Sequence, residues 1–513
     1  MDVRPLEPAS ESESANTLPR TLNLRDAIAI VIGSIIGSGI FLTESKVAAG
    51  VGCFGPVLAV WGIVGILSWC GALAFGELSA MMPQAGGPYV YLRAAYGRLP
   101  AFLWGWTEFW VMRTSALGTL ACACVLYLEE LLPDSIEPNR VGECIAASLI
   151  IIVLSWVNTR GTRWGANVQN LTTFIKASFL ALLIFAPWVM GMVNADNLSP
   201  IEPQAYDFNL LKVVALAMLA VKWPYEGFAN LGFIAGEVKN PQRNMPAALT
   251  IGMGTVIVLY MSAVLSYHLV MPFADVAKSQ TLAADVSKVL FGSIGGTICA
   301  IGVTISALGA ANSNMLTVPR IYFAMARDGL LPESVSRLHP VYKTPANAIR
   351  LQTAWAIGLL ILVFVWTSTF ADKAEPTARP KPPAASATMP EAAADKAVPV
   401  RARNSVKGVR ASFDHLADFV IFGGEIFYGL TIAAVFVLRR RRPDLPRPYK
   451  TFGYPLTPFL YLVGAAAVLA SFLTSIEKIQ QMCFGFLLIG AGIPYYLWAS
   501  RTERGRTGTE GIV

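Results

Sequence analysis

The stretch Ile32-Gly-Ser-Ile-Ile-Gly-Ser-Gly-Ile40 lies inside an uncharged, mainly apolar run from Ala27 to Thr43 and places three glycines where a membrane helix usually carries aliphatic side chains. Glycine lowers helix stability and allows close backbone approach, so Gly33, Gly37 and Gly39 predict a helix interrupted near mid-membrane. Such an interruption frees amide N–H groups on one half and carbonyls on the other, which suits a zwitterion. A GxxxG packing face, with Gly33 and Gly37 four residues apart, is the alternative. From this stretch alone both interpretations stand.

The composition of the whole chain is that of a polytopic membrane protein. Of its 513 residues 54% are hydrophobic and 14% charged, and the mean hydropathy is +0.53. Because a bilayer span needs about 20 apolar residues, the apolar runs predict an all-α protein with twelve transmembrane helices. The runs lie near 27–43, 47–76, 114–128, 144–159, 177–195, 213–236, 244–274, 289–319, 351–371, 419–438, 451–476 and 479–500.

The basic residues predict the orientation of the chain in the membrane. There are 40 Lys and Arg against 33 Asp and Glu, a net charge of +7. The cations occupy every second connection between the predicted helices: Arg20, Arg25, Arg93, Arg98, Arg160, Arg163, Lys239, Arg243, Arg327–Arg350, Arg439–Lys450 and Arg501–Arg506. By the positive-inside rule those connections and both termini are cytoplasmic, and we expect a plasma (inner) membrane location. The cations flank the lipid bilayer and form no single face, so no nucleic-acid partner is expected.

Titratable and metal-ligating residues are sparse. The seven cysteines lie mostly in apolar runs without metal spacing, and His268 and His339 are isolated and are interpreted as structural. An enzyme would need a nucleophile with a base, or a metal constellation. The sequence therefore predicts no enzyme activity, no metal and no cofactor.

A second interrupted run, Lys222-Trp-Pro-Tyr-Glu-Gly-Phe228, lies in the sixth predicted helix. Pro224 removes a helix hydrogen bond, and Gly227 weakens the next turn. Interruptions in helices 1 and 6 are expected if helices 1–5 and 6–10 are inverted repeats, and such a pair points to a transport site at mid-membrane. The second interruption therefore favours a binding site over a packing face at the first.

Five motifs stand in the order typical of one transporter family. They are Gly33-Ser-Ile-Ile-Gly-Ser-Gly-Ile-Phe41, Gly76-Glu-Leu78 with Pro83-Gln-Ala-Gly-Gly-Pro-Tyr89, Gly236-Glu-Val-Lys-Asn-Pro-Gln-Arg-Asn-Met-Pro246, Pro319-Arg-Ile-Tyr-Phe-Ala-Met-Ala-Arg-Asp-Gly-Leu-Leu-Pro332 and Arg447-Pro-Tyr-Lys450. Over residues 20–367 and 413–500 the chain resembles the amino acid–polyamine–organocation superfamily, most closely its L-type amino-acid transporters. The resemblance implies the fold of the bacterial leucine transporter, a ten-helix inverted repeat plus two helices, and amino-acid transport by alternating access.

The resemblance also implies how the substrate is held. Amides of the first interruption would hold the α-carboxylate, at Gly37, Ser38 and Gly39. Carbonyls of both interruptions would hold the α-ammonium, at Ser34, Ile35, Trp223 and Glu226, with Gly227 in the same cradle. Amides at a helix start stabilise an anion, and carbonyls at a helix end stabilise a cation. Trp223 would be an aromatic gate over the substrate, with core packing as the alternative.

Lys176 stands alone among apolar residues in the fifth predicted helix. An intramembrane lysine is a functional candidate by default, and snorkelling to the interface is the alternative. The resemblance implies that its ammonium stands where sodium-coupled relatives bind sodium, so we expect sodium-independent transport. Whether the protein is a proton symporter or an exchanger stays open.

Four residues are selectivity candidates: Glu226, Asn312, Ser313 and Glu425. Glu226 replaces the glycine usual in the subgroup, which puts a large neutral substrate in doubt. A carboxylate in apolar surroundings needs a partner, and three are available: Lys222 at i−4, a cationic substrate side chain or a proton. Glu108 and Arg113, opposite charges in the third helix, are interpreted as a structural pair.

The remaining segments complete the predicted organisation. Residues 1–20 form a disordered cytoplasmic N-terminus, 21–367 helices 1–9, 368–412 a low-complexity external linker, 413–500 helices 10–12 and 501–513 a cytoplasmic tail. Ser135 replaces the subgroup's disulfide cysteine, so no disulfide-linked heavy chain is expected. A polyamine or cationic amino-acid antiporter, and an amino-acid sensor that does not transport, are the alternative functions.

Overall fold

A computed structural model of the protein describes residues 18–129, 140–203, 205–370, 422–474 and 476–509. The predicted linker and Ser135 therefore lie outside the described residues, as does most of the predicted N-terminal segment. The described chain is α-helical, and its one β-type contact is an isolated bridge between Leu22 and Val238. This agrees with the predicted all-α class.

The described helices are numbered here in chain order. Up to the middle of the chain they are α1 Leu24–Ile35, α2 Gly39–Leu42, α3 Glu44–Val51, α4 Phe54–Met81, α5 Pro88–Tyr96, α6 Arg98–Thr107, α7 Arg113–Glu129, α8 Arg140–Thr159 and α9 Thr162–Val189, with a π-helical turn at Glu108–Met112. The next are α10 Phe208–Lys222, α11 Asn230–Phe233, α12 Pro241–Val270, α13 Phe273–Lys278, α14 Leu282–Phe291, α15 Ile294–Thr317, α16 Pro319–Arg327 and α17 Ala346–Phe370. The last are α18 Phe422–Arg441, α19 Leu456–Ser471, α20 Ile476–Gly490 and α21 Gly492–Thr509. Short 3₁₀ turns lie at Ala195–Leu198, Ala235–Glu237, Glu333–Ser336 and Phe472–Thr474.

Ten segments of the described chain are long and apolar enough to cross a membrane. They are Leu24–Leu42, Phe54–Met81, Arg98–Leu128, Val141–Thr159, Thr162–Val189, Pro241–Val270, Ile294–Arg327, Ala346–Val365, Phe422–Arg441 and Met482–Arg501. The sixth and eleventh predicted helices correspond to α10 and α19, which have only 15 and 16 residues. At 1.5 Å per residue they cover about 25 Å, less than the hydrocarbon core of about 30 Å.

Two predicted boundaries differ from the structure for local reasons. The run near 47–76 is divided, because α3 ends at Gly52 with a φ of 80° and α4 begins anew at Phe54. Glycine in this left-handed conformation is a common helix terminator. The third span begins at Arg98, well before the predicted residue 114. It contains Glu108 and Arg113, whose side chains lie 2.7 Å apart, so the charges compensate each other inside the helix.

The first residues of the described chain define one side of the molecule, here called the N-terminal side. Leu22 pairs with Val238, and the amide of Lys239 donates to the Leu22 carbonyl at 2.7 Å. Asp26 closes the capping box of α1 and accepts from Arg163 at 2.6 Å. The buried side chains of Glu237 and Arg320 are joined at 2.7 Å on the same side.

The opposite side is closed by α3 and the end of α12. α3 packs against α10 and α13, and the amide of Phe54 donates to the Pro200 carbonyl at 2.8 Å. On the periphery, α8 exposes Leu149, Ile152 and Trp156. Exposed apolar side chains on long apolar helices are expected where lipid is the solvent, and the chain is a multi-pass membrane protein.

Candidate functional site

The first transmembrane helix is interrupted at the predicted glycines. α1 ends at Ile35, and α2 begins only at Gly39. In the described part of the chain the amides of Gly37, Ser38 and Gly39 donate to no backbone carbonyl. Residues 37–39 are buried or nearly so. A buried N–H without an acceptor is costly, and these three amides are available to donate hydrogen bonds to a ligand oxygen.

The sixth helix is interrupted as well. α10 ends at Lys222, turns cover residues 223–229, and α11 begins at Asn230. Gly227 has a φ of 117°, which L side chains rarely adopt. A Cβ at Gly227 would also lie 2.8 Å from the carbonyl oxygen of Ser34. The glycine is therefore required both by its own conformation and by its contact with the first interruption.

The two interruptions are in direct contact. A Cβ at Gly39 would lie 3.0 Å from Cα and Cγ of Pro224. Tyr260 of α12 joins the two segments, because its hydroxyl lies 3.1 Å from the Ile35 carbonyl and 3.2 Å from the Pro224 carbonyl. Nothing in the local sequence distinguishes Tyr260 from an apolar core residue, so sequence reasoning missed it.

Lys176 is fully buried beside the first interruption. Its Nζ donates to the carbonyls of Gly33 at 2.7 Å and Ile36 at 2.6 Å, and reaches the Ser306 carbonyl at 3.4 Å. Snorkelling to the interface is therefore wrong. The ammonium instead occupies the carbonyl end of α1 and ties it to α15, as a bound cation would.

Part of the carbonyl set predicted for the substrate ammonium already has partners. The Ile35 carbonyl accepts from Tyr260, and the Trp223 carbonyl accepts from the amide of Glu226 at 3.0 Å. The Ser34 carbonyl lies against Gly227. Because a carbonyl oxygen has two lone pairs, the Ile35 carbonyl can accept a second hydrogen bond. Trp223 is partly buried against the core.

Of the three partners considered for Glu226, the structure excludes Lys222. Nζ of Lys222 lies 2.9 Å from Glu425 of α18, whereas Oε1 of Glu226 lies 3.7 Å from Arg113. An i, i+4 pair needs a continuous helix, and α10 ends at Lys222. The turns around Pro224 therefore carry Glu226 away from Lys222.

Glu226 is the least compensated acid in this group. The group, here called the charge cluster, contains three acids and two bases: Glu108, Glu226, Glu425, Arg113 and Lys222. Both bases have a closer acid partner than Glu226. Its side chain is 14% exposed, against 0% for Glu108 and 1% for Glu425. Three acids thus face two bases, and Glu226 is the most exposed of the three acids.

The other selectivity candidates divide between the cradle and the scaffold. Ser313 hydrogen-bonds Ser34 through the two hydroxyls. Asn312 is fully buried; its amide donates to Gln169 at 2.9 Å and its oxygen accepts from Asn158 at 3.0 Å. Its polar groups join α15 to α8 and α9, and its role in selectivity stays a prediction.

The Lys222–Glu425 contact carries a stability prediction. Lys222→Met should lower the free energy of unfolding by about 3–5 kcal/mol, because it leaves a buried carboxylate unpaired. The double variant Lys222→Met with Glu425→Leu should recover most of that loss. Thermal unfolding in detergent measures both. A single variant as stable as the wild type would show that the pair contributes nothing.

Metal-binding groups are not assembled in the described residues. No three His, Cys, Asp or Glu side chains in those ranges are placed to hold a metal ion. His339 accepts at Nδ1 from the amides of Val341 and Tyr342, each at 3.2 Å. Its role is therefore to cap a turn on the N-terminal side.

Comparison with known proteins places this geometry in a family. The model of the amino acid permease family matches residues 22–493. The serine/threonine exchanger SteT of Bacillus subtilis is 29% identical over 94% of this chain and 97% of its own length. The mouse b(0,+)-type amino acid transporter 1 is 27% identical, over 95% of this chain and 91% of its own. The mouse large neutral amino acids transporter small subunit 2 is 28% identical, over 96% of this chain and 84% of its own length.

Proposed function

The chain belongs to the amino acid permease family, and from that premise we propose that it moves amino acids across a membrane by alternating access around the two interruptions. The observation that carries the proposal is their contact: unpaired amides at Gly37–Gly39 face helix ends that also offer carbonyls. Anion-binding amides and cation-binding carbonyls at one place match the two charges of an amino-acid backbone.

The finer architecture is part of the same proposal. We propose twelve spans, with α10 crossing together with its interruption and α11, and α19 completing the eleventh. Helices 1–5 and 6–10 would form the two inverted repeats. The arginine distribution supports a cytoplasmic N-terminal side and a plasma (inner) membrane location. α3 and the end of α12 then lie outside.

For coupling we propose sodium-independent exchange. One relative is named an exchanger, and the Lys176 ammonium fills the carbonyl end of α1 that a cation would otherwise occupy. Proton symport is the alternative. Proteoliposomes loaded with unlabelled amino acid separate the two, since an exchanger takes up label only when substrate is inside.

Glu226 is the proposed selectivity residue. Its negative charge favours substrates with a cationic side chain, or a proton taken up with a neutral one. The names of the relatives include both serine/threonine and large neutral amino acids. The second candidate function is therefore a cationic amino-acid or polyamine antiporter, because the negative charge of Glu226 would favour a cationic substrate.

Glu226→Gln should change selectivity or pH dependence while leaving the protein folded. If the substrate supplies the charge, uptake of cationic amino acids should fall about tenfold, the effect of losing about 1.4 kcal/mol, while neutral uptake stays within twofold. Uptake of a substrate panel by both proteins from about pH 5 to 8 measures this. Asp207→Asn, an exposed acid that caps α10, is the control. Identical profiles would remove Glu226 from the site.

We also propose that the chain works without a disulfide-linked partner. All seven of its cysteines are free, although one relative is named a small subunit. The purified chain alone should transport. Transport that appears only after a second chain is added would refute this.

The linker at 368–412 is proposed to be dispensable, because its composition of Ala, Pro, Lys and Glu cannot bury a core. Deletion of 372–408 should leave membrane expression and uptake within twofold of the wild type. Immunoblotting and uptake in cells measure both. Loss of membrane expression would show a structural role.

Uptake of a panel of amino acids and polyamines by proteoliposomes tests the proposed function. Saturable uptake of at least one amino acid is expected. Specific binding without uptake of any compound would favour the sensor, and chemical conversion of a substrate would favour an enzyme.

A further inference from the structure

A buried acid–histidine contact joins the helix beyond the first interruption to the end of α12. Oε1 of Glu44, the first residue of α3, lies 2.7 Å from Nε2 of His268. Both side chains are fully buried. Sequence reasoning treated His268 as an isolated structural residue and attached no role to Glu44. The structure brings the two together on the side opposite the N-terminus.

The surroundings of the pair are aromatic. Nε1 of Trp61 donates to the second oxygen of Glu44 at 2.5 Å. The rings of Phe54 and Phe273 have centroids 5.1 and 5.2 Å from that of His268. Nδ1 of His268 is buried and has no hydrogen-bond partner among the described residues. The carboxylate thus has a donor at each oxygen, whereas one imidazole nitrogen has nothing to bond.

Within the described ranges, no other charged side chain forms an ion pair with Glu44 or His268. Tyr267 lies near Glu44, and Cys299 lies near Tyr267. Charged side chains on the packed segments are exposed: Lys46, Asp196, Asp207, Lys212, Asp275, Lys278 and Lys288. Three other charged side chains on these segments are not exposed, and each has a different partner. Asp285 bonds Ser279, Lys176 bonds the first interruption, and Glu77 of α4 bonds Arg439.

The charge of the pair depends on one proton. A neutral imidazole that donates to a carboxylate leaves a net charge of −1, and one more proton makes the pair neutral. Burying an uncompensated charge among aromatic rings is costly. The closed arrangement therefore favours the extra proton. In water an imidazole keeps that proton only below about pH 6.5. Closure of α3 on α12 above that pH is accompanied by proton uptake.

We propose that Glu44 and His268 form a proton-binding site that is filled when the outer side of the transporter closes. This deepens the proposed function and rests on it. α3 follows α2 after one residue, and α2 begins with the amide of Gly39. Movement of α3 onto α12 therefore moves the carboxylate-binding amides with it. External protons then favour the closed, substrate-holding form.

Counterflow into proteoliposomes tests the site, with the internal pH held at 7.5 and the external pH varied from 5.5 to 8.5. For the wild type, acid should lower the external half-saturating concentration of the amino acid about threefold to tenfold, since one linked proton changes an affinity by at most about tenfold per pH unit. The double variant Glu44→Gln with His268→Phe should vary less than twofold over the range. Asp207→Asn should keep the response, because that acid is exposed at the start of α10.

Three results would overturn the site. They are a flat wild-type profile, an unchanged profile in the double variant, and a profile lost in Asp207→Asn alone. A flat pH profile with active counterflow would refute the proton site but not the transport function. Absence of counterflow at every pH would refute both the proton site and the transport function.

A second measurement needs no variant at the pair. Amino-acid binding to wild-type protein in weakly buffered detergent at pH 7.5, followed with a pH dye, should take up a proton. Asp207→Asn protein should take up the same amount. No uptake by either protein would overturn the proposal even if the double variant does not fold.

Discussion

Gly39→Leu should reduce amino-acid uptake about a hundredfold or more while the protein still reaches the membrane. A Cβ at this position would lie 3.0 Å from Pro224, so the leucine must push apart the two interruptions. Overpacking of this kind costs about 1–3 kcal/mol, and each 1.4 kcal/mol is about tenfold in binding. The leucine also lies over the amide that would hold the substrate carboxylate. Initial uptake rates normalised to membrane-embedded protein measure the effect.

Gly358→Leu is the matched control for this experiment. Gly358 lies within α17, and a Cβ there would meet nothing within 4 Å. Its uptake should stay within twofold of the wild type. Wild-type uptake by Gly39→Leu would show that the substrate does not use the contact between the interruptions.

Lys176→Met should remove most transport, by about tenfold to a hundredfold. The methionine keeps much of the side-chain length but leaves the carbonyls of Gly33 and Ile36 without their donor. Each buried polar group that loses its partner costs about 1–3 kcal/mol. The end of α1 should then lose its defined position beside Ser306. Uptake and thermal unfolding measure the two consequences.

Lys212→Met, at an exposed position of α10, should be neutral in the same assays. Replacing sodium by choline should leave wild-type uptake unchanged, because the Lys176 ammonium already occupies the carbonyl site. If Lys176→Met transports normally, the lysine has no part in coupling. A strict sodium requirement of the wild type would contradict the same interpretation.

The interruptions could be predicted from the sequence because their causes are local. Gly37 and Gly39 weaken a helix wherever they stand, and Pro224 removes a hydrogen bond from its own helix. Gly227 is required for one local and one non-local reason. Its positive φ is a property of its own backbone, whereas its contact with Ser34 depends on how the two interruptions pack.

The partners of the buried charges could not be predicted, since they depend on which helices pack together. Lys222 has Glu226 one turn away in the sequence, yet its partner Glu425 comes from α18. Asn312 was predicted as a selectivity candidate from its place in the sequence, which does not indicate that its hydrogen-bond partners lie on α8 and α9. Tyr260 joins both interruptions with a single hydroxyl, which no spacing in the sequence indicates.

Competition by backbone-modified substrates tests most directly whether the two interruptions hold an amino-acid backbone. Against uptake of a transported amino acid into proteoliposomes, we expect its α-carboxamide, its N-acetyl derivative and the amine lacking the carboxylate each to compete about tenfold to a hundredfold more weakly, since a lost charged hydrogen bond costs about 1.5–3 kcal/mol. The unlabelled amino acid itself should compete fully. Equal competition by the amine without a carboxylate would contradict the account, because such a ligand offers no acceptor to the amides of Gly37, Ser38 and Gly39.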